Sequence, residues 1–256
     1  MTKLERLQIV QEKILSACKR SGRTANDVTL VGVSKTKSAE EVFEFLSLGL
    51  RNFGENYLQE ALPKIDTVAN LSASHASTTH ASISYPSSHS LSGPDSVPMP
   101  YWHFIGQLQS NKAKLLPGKF EWVHSLDSSS SAKRISQQAT TLGLRQKCLI
   151  QVNIDNEPTK AGVLPADVIQ FLEEIGTLPG LDLRGLMCIP DPSSHQDPKT
   201  PFRELRNLLE KCRAHSENPN HFRELSMGMS HDFEAAIEEG STFVRIGTSL
   251  FGERLK

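Results

Sequence analysis

The sequence predicts an α/β fold, a single (β/α)8 TIM-type barrel with an extra N-terminal helix, spanning residues 1–256 as one domain. Three observations carry this. Short apolar runs alternate with helical stretches eight times along the chain. Strict β–α alternation implies right-handed crossovers and a parallel sheet. Eight such units in about 220 residues, once one low-complexity stretch is set aside, fit a closed barrel. The rival is a doubly wound open sheet, which usually carries a glycine-rich dinucleotide loop after its first strand. Here that strand ends in Ser34-Lys35-Thr36-Lys37, with no such loop.

Leu4, Leu7, Val10, Ile14 and Ala17–Cys18 recur at three- and four-residue spacing, which predicts an amphipathic opening helix. Leu30–Ser34 is the first strand. Glu40–Leu48 is helical in composition and is stopped by Gly49. Leu50–Phe53 gives a brief second strand, and Glu55–Ile65 a helix whose end Pro63 weakens. From about Thr67 to Pro100 the rhythm breaks into a serine-crowded stretch with Pro86, Pro94, Pro98 and Pro100. Such a stretch cannot bury enough apolar surface to offset its ordering entropy. Residues 67–100 are therefore expected to form a disordered insertion in a surface loop. His75, His80 and His89 within it follow no metal-site spacing and read as solvated.

The alternation resumes with a strand over Tyr101–Ile105 and a helix over Ser110–Leu116, ended by Pro117-Gly118. Further strands are expected over Phe120–His124, Cys148–Ile154, Leu181–Ile189, Glu224–Met227 and Thr242–Ile246. The helices between them fall over Ser128–Leu142, Pro165–Ile175, Pro201–His215 and Asp232–Glu239.

Composition narrows the function. A formal net charge of −1 gives no electrostatic case for a nucleic-acid or membrane partner. The four cysteines lie far apart with no CxxC pair, which fits a reducing compartment rather than a disulfide framework or zinc ribbon. No apolar run approaches the ~20 residues that span a bilayer. The charged N-terminus, with Glu5 and Glu12, resembles neither a signal core nor a mitochondrial presequence. The cytosol is the expected location. No second domain or coiled-coil seam calls for a dimer, so a monomer is expected.

A parallel barrel keeps its chemistry at the C-terminal ends of its strands. Those ends supply Lys35, Gly54-Glu55-Asn56, Gly106-Gln107, Asn153–Asp155, Met187–Pro190, Ser226–Ser230 and Gly247-Thr248. Ser226-Met-Gly-Met-Ser230 places two hydroxyls around Gly228 just before a helix, and Gly247-Thr248-Ser249 repeats the arrangement one unit later. Neighbouring nests of amides and hydroxyls suit a phosphate, although helix capping by Ser230 and Thr248 is the ordinary alternative. Val31, Val33 and Lys35 share one strand face. If that face points inward, burial lowers the ammonium pKa and frees the amine to attack an aldehyde. Lys37 has the same parity but lies beyond the strand, toward water. A phosphate nest and a lysine at one mouth suggest a phosphorylated carbonyl compound, either pyridoxal phosphate or an aldolase-type sugar phosphate.

Six segments resemble the pyridoxal phosphate homeostasis proteins, whose barrel is similar to that of bacterial alanine racemase. They are Val33-Ser-Lys-Thr-Lys37, Phe53-Gly-Glu-Asn-Tyr57, Trp102-His-Phe-Ile-Gly-Gln107, Gly185-Leu-Met187, Leu225-Ser-Met-Gly-Met-Ser230 and Val244-Arg-Ile-Gly-Thr248. They occur in the family's order and cover nearly the whole chain outside the serine-rich stretch. The resemblance implies pyridoxal 5′-phosphate held as a Schiff base (internal aldimine) on Lys35. It further implies phosphate contacts from Ser226, Gly228, Gly247 and Thr248, and Arg245 facing the pyridine nitrogen. Asn56, His103 and Met187 would line the pocket.

On this resemblance the expected function is binding and buffering of the cofactor, with supply to apo-enzymes, rather than substantial catalytic turnover. The alternative is a racemase-like enzyme using the same cofactor. Racemisation needs an acid and a base on opposite faces of the substrate carbanion, and Lys35 supplies only one. Tyr85 lies in the serine-rich stretch, Tyr57 and Tyr101 lie early, and only eleven residues follow Arg245. The strand ends also lack a clear carboxylate dyad for a Schiff-base aldolase.

Overall fold

Capping and spacing set the first helix. Thr2 and Glu5 form a reciprocal capping box at the start of α1 (Lys3–Arg20), and Leu7, Val10, Ile14, Ala17 and Cys18 line its buried face. Leu4 is exposed and does not join that face. The computed structural model describes residues 1–79 and 99–252. In it α1 packs against the two last helices, where Arg20 pairs with Glu234 at 2.9 Å and Glu238 at 2.5 Å.

Eight parallel strands close into a barrel in the order of the chain, as the alternation predicts. They are β1 (Thr29–Val33), β2 (Asn52–Glu55), β3 (Tyr101–Phe104), β4 (Trp122–Leu126), β5 (Gln146–Val152), β6 (Leu181–Cys188), β7 (Glu224–Ser226) and β8 (Phe243–Ile246). Closure is made by β1 against β8, with Thr29 beside Phe243 and Gly32 beside Ile246. The remaining helices are α2 (Ala39–Ser47), α3 (Leu58–Thr79), α4 (Ser129–Thr141), α5 (Val168–Gly176), α6 (Thr200–Arg213), α7 (Phe233–Glu238) and α8 (Thr248–Phe251).

Several elements differ from expectation, and the short α8 was not expected at all. Ser110–Leu115 is a 3-10 segment rather than an α-helix, a form common in short connectors. α5 starts at Val168, three residues after Pro165. The largest difference is α3, which runs on through Thr79 into the stretch expected to be disordered. Leu58, Ala61, Ile65, Val68 and Ser72 are buried at helical spacing, so the apolar stripe continues past residue 67 and holds the helix. The rest of the serine-rich stretch, residues 80–98, lies outside the described residues.

Two cores result. Outward-facing strand residues such as Phe53, Val123, Ile150 and Leu186 pack under the helices. Inside the barrel, Val31, Leu149, Met187 and Phe243 form a separate apolar cluster with Trp122 against it. Such interiors are ordinarily filled by branched apolar side chains. Here His103, His124, Ser226 and Arg245 share the space, all buried.

Candidate functional site at the C-terminal mouth of the barrel

Lys35 follows β1 in a turn that the neighbouring elements hold from below. Ser34 N–H donates to the Gly54 carbonyl at 3.0 Å, and Lys37 N–H closes the turn on the Ser34 carbonyl at 3.0 Å. Thr36 takes a left-handed φ of 64° there, a conformation costly for a side chain branched at Cβ. Its N–H donates to Glu60 Oε1 at 2.9 Å. Beneath the turn Lys64 donates to the Ser34 carbonyl at 2.8 Å and to Glu55 Oε1 at 2.7 Å. Ser34 Oγ donates to the same carboxylate oxygen at 2.6 Å. Burial pushes the Glu55 carboxyl above its ordinary value even with the Lys64 ammonium against it. Sequence reasoning left Glu55 and Lys64 without a role. Nothing in the pattern distinguished Lys64 from a solvated helix lysine.

Lys35 itself is half-buried at the mouth. Lys37 is not fully exposed as expected, since Nζ lies 3.4 Å from the Phe251 carbonyl and 3.7 Å from Glu41. Barrel closure brings the Lys35 turn beside the end of β8. A Cβ added at Gly247 would find Val33 Cβ at 3.6 Å, ordinary contact distance, so the glycine is not demanded by packing alone. Thr248 is exposed beside it. Gly228 is different. Its φ is +94°, and an added Cβ would lie 2.7 Å from Ala236 Cβ and 2.9 Å from Phe233 Cα. Only glycine lets the loop after β7 pass under α7. Asp232 then caps this loop by accepting from Met229 N–H at 2.6 Å.

Arg245 points into the barrel and is 4% exposed. It donates from Nη1 to Ser226 Oγ at 2.6 Å and from Nη2 to the Cys188 carbonyl at 2.9 Å. No described carboxylate lies within ion-pair distance of it, and the nearest support for its charge is these two hydrogen bonds. Below it Ser226 Oγ meets His124 Nδ1 at 2.7 Å. His124 Nε2 meets His103 Nδ1 at 2.9 Å, and His103 Nε2 meets Asn52 Oδ1 at 3.0 Å.

This geometry changes two expectations. The Ser226 hydroxyl is turned inward under Arg245 and engaged there, away from the loop that carries Gly228. His103 is turned toward Asn52 in the N-terminal half of the interior, so it backs the mouth rather than lining it. Met187 is fully buried and level with Ser226 in the β6–β7 pairing, which makes it part of the floor. Asn56 stays at the mouth, and its Oδ1 is buried with no hydrogen-bond partner among the described residues. Sequence reasoning missed His124 and Asn52. Their inward parity with Trp122 and with Gly54 was the available signal. Asp155, from the strand-end shortlist, is taken up by Lys160, His195 and the Asp191 N–H.

A cleft of about 820 Å³ opens at the opposite end of the barrel between Arg23, Asn52, Tyr101, Trp122, Lys147 and Phe243. Its cations are already engaged, Lys147 with Glu121, Arg223 with Glu224 and Arg23 with the carbonyls of Asp27 and Ile237. It holds none of the shortlisted strand ends, and size alone does not make it the site. Among the described residues no group of histidine, cysteine and carboxylate side chains could hold a metal. None of the described helices is long and apolar enough to cross a membrane.

Fold and mouth together define a class, the barrel of the alanine racemase, N-terminal domain family, whose profile matches residues 11–255. An alanine racemase of Clostridium difficile shares the fold at 13% identity and TM-score 0.62, covering 98% of this chain and 58% of the racemase. Within that class the chain belongs to the pyridoxal phosphate homeostasis protein family. It is 40% identical to the pyridoxal phosphate homeostasis protein of Aquifex aeolicus over 99% of both chains. It is also similar to PipY of Synechococcus elongatus, solved with pyridoxal phosphate (PLP) bound. The identity there is 32% and the TM-score 0.75, over 98% of this chain and all of PipY.

The buried histidines predict a pH dependence. Burial holds His103 neutral down to about 3 and places His124 well below its ordinary value of 6.5. Below about pH 6.5 the unfolded chain takes up protons that the folded chain refuses, so stability is lost as pH falls. Each histidine contributes a slope approaching about 1.4 kcal/mol per pH unit. Urea unfolding between pH 6.5 and 5, above most carboxylate titration, should show this decline. A His103→Asn variant should show a shallower one. Equal slopes in the two proteins would mean that His103 is protonated in the fold.

Proposed function

We propose that this protein binds pyridoxal 5′-phosphate at the C-terminal mouth and serves cellular vitamin B6 homeostasis, buffering the reactive aldehyde and supplying it to apo-enzymes. The observation that carries the reading is the convergence of Lys35, Gly247 and Arg245 at the β1–β8 seam. These are an amine, an unobstructed backbone and an arginine with only hydrogen-bond donors, in a chain that is 32% identical to a PLP-bound relative. The residues fit the group. Asn56 Oδ1 is a buried acceptor without a partner at the same mouth, and the loops at Gly228 and Gly247-Thr248 suit a phosphate. In this reading Lys35 holds the cofactor covalently as a Schiff base. Gly228, Gly247 and Thr248 receive the phosphate, Asn56 flanks the ring, and Met187 supplies the floor. Ser226 is reassigned from the phosphate to the support of Arg245. The protein acts in the cytosol as a monomer, without a nucleic-acid or membrane partner.

When bound, the cofactor supplies an aldehyde for amine condensation and a ring able to accept electron density. Arg245 limits the second property. A guanidinium donates but cannot accept, so a ring nitrogen facing it stays unprotonated. A neutral pyridine draws electrons weakly, which suits retention better than turnover. The tyrosines support the same reading. Tyr101 opens the other end of the barrel, and Tyr57 is 56% exposed after β2. Tyr85 lies outside the described residues.

Two measurements test the proposal. Borohydride reduction of PLP-loaded protein, followed by peptide mass mapping, should place the cofactor's mass on Lys35, and Lys35→Ala should lose it. Label retained on another lysine in that variant removes Lys35 from its role. Incubation of the loaded protein with L-alanine in deuterium oxide should give negligible Cα exchange. Rapid exchange with accumulation of D-alanine would replace the carrier reading with a racemase.

A further inference from the structure

The polar row inside the barrel has a direction. Asn52 Oδ1 only accepts, so His103 carries its proton on Nε2 and donates it there across 3.0 Å. A neutral His103 then has a bare Nδ1, which accepts from His124 Nε2–H across 2.9 Å. A neutral His124 likewise has a bare Nδ1, which accepts the Ser226 hydroxyl proton across 2.7 Å. Ser226 Oγ keeps its lone pairs for Arg245 Nη1–H at 2.6 Å. All four bonds run from Arg245 toward Asn52, and both histidines are satisfied at both ring nitrogens. Both imidazoles are fully buried, with Trp122 and Phe243 packed against them. No carboxylate enters the row. Isolated buried polar groups cost stability, and a fully satisfied row fixes one arrangement.

We propose that His124 and His103 are positioning residues for the mouth, acting through Ser226 to hold Arg245 in a single orientation with its remaining donors toward the bound group. This rests on the reading that the mouth binds PLP. The two histidines touch neither the mouth nor its ligand. Their effect is carried by the chain of donors, so it depends on a residue at position 124 that both accepts from Ser226 and donates to His103. Leucine can do neither. A glutamine carries one acceptor oxygen and one donor nitrogen and can do both.

The test compares PLP affinity, read from the absorbance of the bound cofactor, in unaltered protein, His124→Leu and His124→Gln, each with a melting curve. His124→Leu should lose about tenfold in affinity, the scale of one hydrogen bond to a charged group. The absorbance maximum should move with it, and His124→Gln should recover most of both. A merely structural histidine would lower the melting temperature in both variants and leave the absorbance maximum of the bound cofactor in place. A cooperatively melting His124→Leu protein with unaltered affinity and spectrum overturns the proposal. Unaltered protein that binds no PLP overturns the reading of the mouth, a separate result. Should His124→Leu fail to fold, nitrogen NMR of histidine-labelled unaltered protein decides. Protons on both Nε2 atoms are expected, and a proton on either Nδ1 contradicts the row.

Discussion

A guanidinium sits inside a closed barrel, nearly sealed from solvent, with no described carboxylate against it. Burying a charge costs several kcal/mol unless polar groups replace its water, so the interior around Arg245 must be polar. Ser226, His124, His103 and Asn52 supply that polarity on one side, and the Cys188 carbonyl supplies it on another. The apolar cluster of Val31, Leu149, Met187 and Phe243 fills what remains. Burial also lowers the Arg245 pKa from its ordinary value, although an arginine begins so high that it stays charged. The mouth therefore presents a permanent donor from below.

The turn that carries Lys35 is held by a different lysine. Lys64 and Glu55, both almost fully buried, grip the Ser34 backbone and hydroxyl and so fix the turn from which Lys35 projects. Removing one partner of such a pair leaves an uncompensated buried charge, at a cost of about 3–5 kcal/mol. The turn and the barrel wall beneath it thus stand or fall together. Ser34 at the end of β1, braced by Glu55 of β2 and Lys64 of α3, and Arg245 of β8, braced by Ser226 of β7, reach the mouth side by side because β1 and β8 close the barrel.

Much of this could be read in the chain. The eight-fold alternation defined the barrel, and strand-end position alone brought Lys35, Gly228, Gly247 and Thr248 onto one rim. What escaped reading has physical causes. The helical stripe through Val68 and Ser72 was hidden by serine-rich composition, so α3 was expected to end too early. The resemblance put His103 in the pocket lining, whereas its ring bonds Asn52 and His124 inside the barrel. His124 and Lys64 became visible only in three dimensions, since the partners that define them lie 102 and 30 residues away in the chain.

The central claim is that Arg245 and Lys35 hold opposite ends of one bound pyridoxal 5′-phosphate. The most direct measurement is a crystal structure of the PLP-loaded protein. The account predicts a ring nitrogen within about 3 Å of an Arg245 nitrogen, a hydrogen-bond distance, with the cofactor's aldehyde carbon joined to Lys35. A cofactor seated in the cleft at the other end of the barrel, or a ring turned away from Arg245, would contradict it.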